Sequence, residues 1–232
     1  MGWNDLRRCP LPGLLHGAAM ALFGALLLAL ARDRFWLLAG AFSGFLLVAP
    51  LMATGLYGVS RELEQGRRAN LHTALAAWRP HDARLVVFGL LLALAGTGWV
   101  LTSASLITRF AAEPVNNPAD FLRVVVLGGH PYLFEVWLAL GGALAAPVFA
   151  SSVIAIPLLL DRRVSVMTAV LTSVRAALLN PLPMALWATL IMALTMLGML
   201  ATALVGLVVV LPWLAHASWH AYRDLVEPEG GP

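Results

Sequence analysis

Few residues in this chain have the type and spacing to do chemistry. His216 and His220 stand four apart, which on a helix puts both imidazoles on one face at a spacing that can hold a metal, and imidazole suits zinc, copper, iron and nickel. His16 lies eight residues after Arg8 and His216 seven before Arg223, so the two can share one depth, and such a pair could clamp a b-type haem. Two ligands do not make a metal site. The plainer expectation is that His220, with Trp219, Tyr222 and Arg223, forms an anchor belt at the membrane interface. Glu135 is a carboxylate inside the boundary of an apolar segment, where ionisable groups often mark ion pathways, but the first turn of a helix also stabilises an acid there. The pairs Glu62 and Glu64, Arg67 and Arg68 read as a solvated turn. The single Cys9 excludes an internal disulfide and lacks the paired spacing of a zinc or redox site. No glycine-rich phosphate loop, nucleophile elbow or metalloprotease helix occurs. The sequence therefore predicts no catalytic residue and no resident cofactor, haem or copper entering only through these histidines.

The elements that carry these residues are apolar. Of 232 residues 60% are hydrophobic and 12% charged, with mean hydropathy +0.84, against about 25% charged residues in a soluble domain. The charges cluster and leave uncharged runs at 9–31, 35–60, 85–108, 136–160 and 176–222, where a span needs about 20 apolar residues. The last run is long enough for two spans. The fold class expected is an all-α membrane protein, a single polytopic domain over 1–232, with six transmembrane helices at 13–31, 35–59, 85–108, 133–160, 182–199 and 202–220. These form three hairpins, 13–59, 85–160 and 182–220, joined by inner loops 60–84 and 161–181 and an outer loop 109–132. The stretch 13–31 is longer than the apolar core of a signal peptide and is expected to stay as a span.

All fifteen basic residues are arginine. With the N-terminus inside, eleven of them face the cytoplasm (7, 8, 61, 67, 68, 79, 84, 162, 163, 175 and 223) and Arg32, Arg34, Arg109 and Arg123 face out. That asymmetry predicts an orientation with both termini cytoplasmic. It also accounts for the net charge of +3 without nucleic acid as a partner. Short interfacial helices are expected after Asn70, over 165–178, and after Asn117, which can cap a helix with Pro118 in its first position.

A pattern recurs in the even-numbered spans: Gly44, Pro50 and Ala53; Gly141, Pro147 and Ala150; Gly206, Pro212 and Ala215. Proline removes one backbone donor, so the carbonyls of Leu46, Ala143 and Val208 lose their usual partners. The repeat is expected to be structural, with a bend near each proline repaired by neighbouring helices, rather than a ring of carbonyls serving a substrate. Span four holds a further proline, Pro157.

The stretches Gly2-Trp3-Asn4-Asp5-Leu6, Gly44-Phe45-Leu46-Leu47-Val48-Ala49-Pro50, Gly55-Leu56-Tyr57, Ser60-Arg61-Glu62-Leu63-Glu64, Leu159-Leu160-Asp161-Arg162 and the tail His216 to Leu225 resemble a bacterial integral-membrane family, domain of unknown function 2189. The resemblance implies a multi-span inner-membrane protein. Some relatives carry the label of a putative cytochrome c oxidase subunit, but this chain has no adjacent histidine pair of the kind a haem–copper centre uses. The functional expectation is a non-enzymatic membrane protein that moves a small solute or lipid or serves as a scaffold, its partner the lipid bilayer. The alternative is an accessory or assembly partner of a respiratory oxidase that holds haem or copper through His16, His216 and His220. A respiratory complex or a second copy of the chain would then be its protein partner. A set of polar residues converging inside the bundle would favour solute movement over a scaffold.

Overall fold

The computed structural model describes residues 1–31, 35–36, 52–77, 83–128 and 132–226, and within them every regular element is a helix. In chain order these are α1 (Gly2–Arg8), α2 (Pro10–Ala31), α3 (Thr54–Glu64), α4 (Leu71–Ala76), α5 (Ala83–Phe110), α6 (Pro118–Asp120), which runs on as a π-helical stretch Phe121–Val126, α7 (Leu133–Ser152), α8 (Ala155–Asp161), α9 (Val166–Leu179), α10 (Pro181–Leu200) and α11 (Leu207–Leu225).

Four segments are long and apolar enough to cross a membrane: Pro10–Leu30, Ala83–Phe110, Leu133–Asp161 and Pro181–Leu200. They coincide with four of the six expected spans. The expected span 35–59 falls mostly outside the described residues, which there hold only 35–36 and the segment from 52 onward. The expected span 202–220 requires correction. Residues 201–206 form a turn, with Ala203 and Leu204 at positive φ, and the helix begins at Leu207. Its second half carries His216, Trp219, His220 and Tyr222, and its hydropathy falls below that of the four segments above.

Local chemistry sets the helix ends. Pro10 cannot continue α1 but suits the first turn of α2, and it forces Cys9 out of the helical region, to φ −137° and ψ 69°. Asn70 caps α4 in a reciprocal box with Thr73, Asn117 accepts from the Asp120 N–H, and Ser165 caps α9 through the Thr168 N–H. The three short helices start where the sequence placed them, and the cap expected at Asn117 is present.

The chain divides into two compact units. The first comprises Met1–Phe23, Ala49–Phe88 and Phe149–Pro232. In it α11 packs on α1, α3 and α10, and α3 packs on α4 and α8. Glycines permit the closest of these approaches. A methyl group added at Gly2 would lie 2.5 Å from the backbone nitrogen of Ala217, and one at Gly17 would lie 2.3 Å from the carbonyl oxygen of Val208. Gly13 and Gly17, four apart, thus form the seam of α2 against α11, a small-xxx-small contact. Val208 is the residue whose carbonyl loses its donor to Pro212, so here the freed carbonyl abuts a neighbouring backbone.

The Gly-x5-Pro copies differ in setting. Gly44 and Pro50 lie outside the described residues, and Ala53 precedes the first turn of α3. Gly141, Pro147 and Ala150 all fall within α7, which continues unbroken through Pro147. Gly206 instead sits before α11, which holds Pro212 and Ala215. The break in the fourth segment comes at Val153 and Ile154, ahead of Pro157. There Ser173 of α9 inserts its hydroxyl into the helical ladder, donating to the Ala150 carbonyl (2.6 Å) and accepting from the Ile154 N–H (3.1 Å).

The second unit comprises Gly24–Val48 and Gly89–Val148. Its core is Ile107, Val115, Val124, Val125 and Leu133, flanked by Phe35, Phe121, Phe134 and Trp137. The Trp137 indole donates to Ser103 Oγ at 2.7 Å. Glu135 is exposed in the first turn of α7, the setting that makes it a helix-end charge.

Candidate functional site

In the first unit, polar residues far apart in sequence meet between apolar helices. The contact of Gly2 with Ala217 brings α1 against α11 and carries Asp5 to the second half of that helix. Helix α3, buried from Thr54 to Ser60, supplies Ser60. Asp5 Oδ2 accepts from Ser60 Oγ at 2.9 Å and lies 2.7 Å from His220 Nε2, while Ser60 Oγ lies 2.7 Å from His216 Nδ1. Ser60 and His216 are fully buried, whereas the His220 side chain keeps 17% of its surface.

Hydrogen-bond bookkeeping fixes the proton positions. Ser60 has one hydrogen and donates it to the carboxylate, so His216 Nδ1 must carry the hydrogen of its own bond to Ser60. His216 Nε2 is then an acceptor. It is buried, it has no hydrogen-bond partner among the described residues, and it faces Gly13, where an added methyl would stand 3.8 Å away. Burial by itself would raise the Asp5 carboxyl, but the bonds from His220 and Ser60 outweigh it and hold the carboxyl below its ordinary value.

A second set of bonds extends this cluster. Glu64 accepts from the Trp219 indole (3.0 Å) and from Arg223 Nε (3.0 Å), and Asp161 accepts from the Tyr222 hydroxyl (2.7 Å) with Arg223 at 3.6 Å. Trp219 and Tyr222 have no exposed surface. The expected anchor belt is therefore corrected: these aromatics lock α11 to the ends of α3 and α8 instead of facing the interface. Glu64 likewise leaves the solvated turn assigned to it, in which only Glu62 and Arg67 remain paired.

The expected histidine set divides in its hydrogen bonds, although His16 stands near enough to His216 for their charges to interact. His216 and His220 join one network, but through Ser60 and Asp5, while His16 donates from Nδ1 to the Pro12 carbonyl (2.7 Å) one turn earlier. Among the described residues no three His, Cys, Asp or Glu side chains gather as a metal site requires. Cys9 is buried and directs its thiol at the Ala69 carbonyl.

Ser60, Glu64 and Asp161 lie in a stretch, residues 37–161, that matches the family described as "Predicted integral membrane protein (DUF2189)". That stretch is more than half of the chain. The chain belongs to this family. Asp5, His216 and His220 lie outside the matched stretch, so the site combines residues from within and beyond it. No curated protein and no solved structure matches the chain.

Sequence reasoning missed Asp5 and Ser60 as site residues. The available signal was that Asp5, Ser60, Glu64, Asp161 and Arg223 are polar positions inside the very stretches that carry the family resemblance. No spacing rule connects them, because Asp5 and His220 are 215 residues apart.

Proposed function

We propose that this is a non-enzymatic inner-membrane protein that moves a small solute, the proton in the first instance, along His216, Ser60, Asp5 and His220. The observation that carries the reading is the unbroken run of hydrogen bonds from a fully buried imidazole to a partly exposed one, with links of 2.7, 2.9 and 2.7 Å. Ionisable residues within membrane proteins often form such relays. The donors converge on Asp5 from both sides. His216 Nδ1–H donates to Ser60, Ser60 O–H donates to Asp5, and His220 Nε2–H donates to the same carboxylate. A proton taken up at His216 Nε2 is balanced by loss of the Nδ1 proton to Ser60, whose own proton passes to Asp5; His220 then turns its bare Nδ1 to the carboxyl, takes that proton and releases the one on Nε2. The enclosed Ser60 hydroxyl favours this role over nucleophilic catalysis, since no substrate reaches a fully buried oxygen.

The same contacts support an orientation with both termini cytoplasmic and three hairpins. Asp5, the end of α3, the start of α5, the end of α8 and the second half of α11 all meet in one unit, and these are segments the arginine asymmetry assigns to the inner face.

The test is proton flux into proteoliposomes with an entrapped pH dye under an imposed potassium diffusion potential. Wild-type protein should exceed empty vesicles, and Ser60→Ala, which cuts the relay without removing an ionisable group, should fall to the empty-vesicle rate while its melting point shows it folded. A wild-type rate equal to that of empty vesicles would leave the scaffold reading in its place. Undiminished flux in Ser60→Ala would remove this path. A haem absorption band in the purified protein, lost in His16→Ala or His216→Ala, would favour the oxidase-partner alternative.

A further inference from the structure

We infer that a cleft in the first unit, separate from the proton relay, binds a phosphate group, borne by an anionic lipid head or by a free phosphate. The cleft has a volume of about 550 Å³ and is lined by Arg61, Arg84, Arg162 and Arg163 with Glu62 and Asp161. Four guanidinium groups against two carboxylates give the lining a formal charge of +2, and both carboxylates also serve arginines outside the cleft: Glu62 binds Arg67 through two oxygens, and Asp161 faces Arg223.

The cationic wall is built in advance. Arg84 donates to the carbonyls of Leu159 (3.4 Å), Arg162 (3.2 Å) and Val164, and Arg61 donates to that of Leu160 (3.2 Å). Two arginines thereby fix the backbone segment that presents two more, so little ordering is left for a ligand to impose. Guanidinium is the cation suited to phosphate, through paired N–H donors. Apolar side chains flank the cleft in sequence, with Leu75 on α4 and Met167 and Leu171 on α9 all exposed, the surface an acyl chain requires. Basic pockets among membrane helices hold anionic lipid heads by this combination.

The experiment follows the thermal midpoint of the purified full-length protein in mild detergent with added phosphatidylglycerol, phosphatidylcholine or inorganic phosphate. A ligand that binds only the folded state raises the midpoint. Phosphatidylglycerol should raise it by several degrees over phosphatidylcholine, and the exposed substitution Arg163→Glu should remove most of that gain while leaving the midpoint in phosphatidylcholine unchanged. Arg61→Gln provides a second variant should Arg163→Glu fold poorly. A gain with phosphatidylglycerol alone assigns the site to a lipid head. An equal gain with inorganic phosphate assigns it to a free phosphate or a phosphorylated solute. Equal midpoints in all three, or a phosphatidylglycerol gain that survives both substitutions, would overturn the inference.

Discussion

At the scale of single residues, glycines and one carboxylate carry the sharpest expectations. A methyl at Gly17 would fall 2.3 Å from a backbone oxygen that cannot yield, whereas at Gly13 the nearest atom is the flexible end of Leu6 at 2.6 Å. Gly17→Ala should therefore destabilise by about 1–3 kcal/mol, the range for overpacking, and Gly13→Ala by less. Gly142, inside α7, has nothing within 4 Å of its added methyl, so Gly142→Ala should stabilise by about 0.5–1 kcal/mol through helix propensity alone. Thermal unfolding of the three variants in one detergent checks the order, and a Gly17→Ala protein as stable as wild type would refute the seam. The Asp5 carboxyl supplies a pH signature. Because its folded value lies below its unfolded one, the stability it contributes is complete above about pH 4 and fades as pH falls through the folded value. Melting points recorded down to pH 3 should show an acid limb that is shallower in Asp5→Asn. An acid limb of equal slope in the two proteins would mean that Asp5 is not held as described.

At the scale of elements, the break between α7 and α8 shows how a proline position is resolved. Sequence placed the disturbance near Pro147, because that proline belongs to the repeat. The helix absorbs Pro147 and breaks before Pro157, where a hydroxyl from α9 is available to replace the missing ladder bond. Removing that hydroxyl leaves the Ile154 N–H and the Ala150 carbonyl without it, so Ser173→Ala should cost about 1–3 kcal/mol. In a Pro157→Ala background the cost should shrink by at least about 0.5 kcal/mol, since alanine at 157 restores a donor for the Val153 carbonyl and lets Ile154 bond Ala150 directly. Strict additivity in this cycle would show that the break does not depend on Pro157. The cap at Asn117 was legible in sequence because a cap acts over three residues. The insertion of Ser173 was not, because its partners lie about twenty residues away and nothing local marks them.

At the scale of the whole molecule, the expectation concerns sidedness. Reporters at the N-terminus, near Gly66, near Arg175 and at the C-terminus should all mark the cytoplasm, and one near Asn116 the opposite face. The arginine distribution motivates this, and the ion pairs and hydrogen bonds among Asp5, Ser60, Glu64, Asp161, His220 and Arg223 require those segments to share a face. A C-terminal reporter found outside would contradict both at once. It would also count against the proposed three-hairpin arrangement.

The sequence by itself determined that this is a membrane protein built of helices, because the length and polarity of an uncharged run are local properties that a bilayer reads directly. It likewise determined where the short helices begin, and the family to which the chain belongs. Only the tertiary structure decided what the polar residues of those helices do. His220, Trp219 and Tyr222 occupy a stretch that reads as an interfacial belt, and nothing within α11 reveals that Asp5, Ser60, Glu64 and Asp161 converge on it. Burying a charge or hydroxyl is tolerated only when a partner arrives, and each partner here comes from a segment more than fifty residues away, positioned by glycine contacts between helices. Spacing along a chain is blind to such meetings, since they depend on which helix faces pack together.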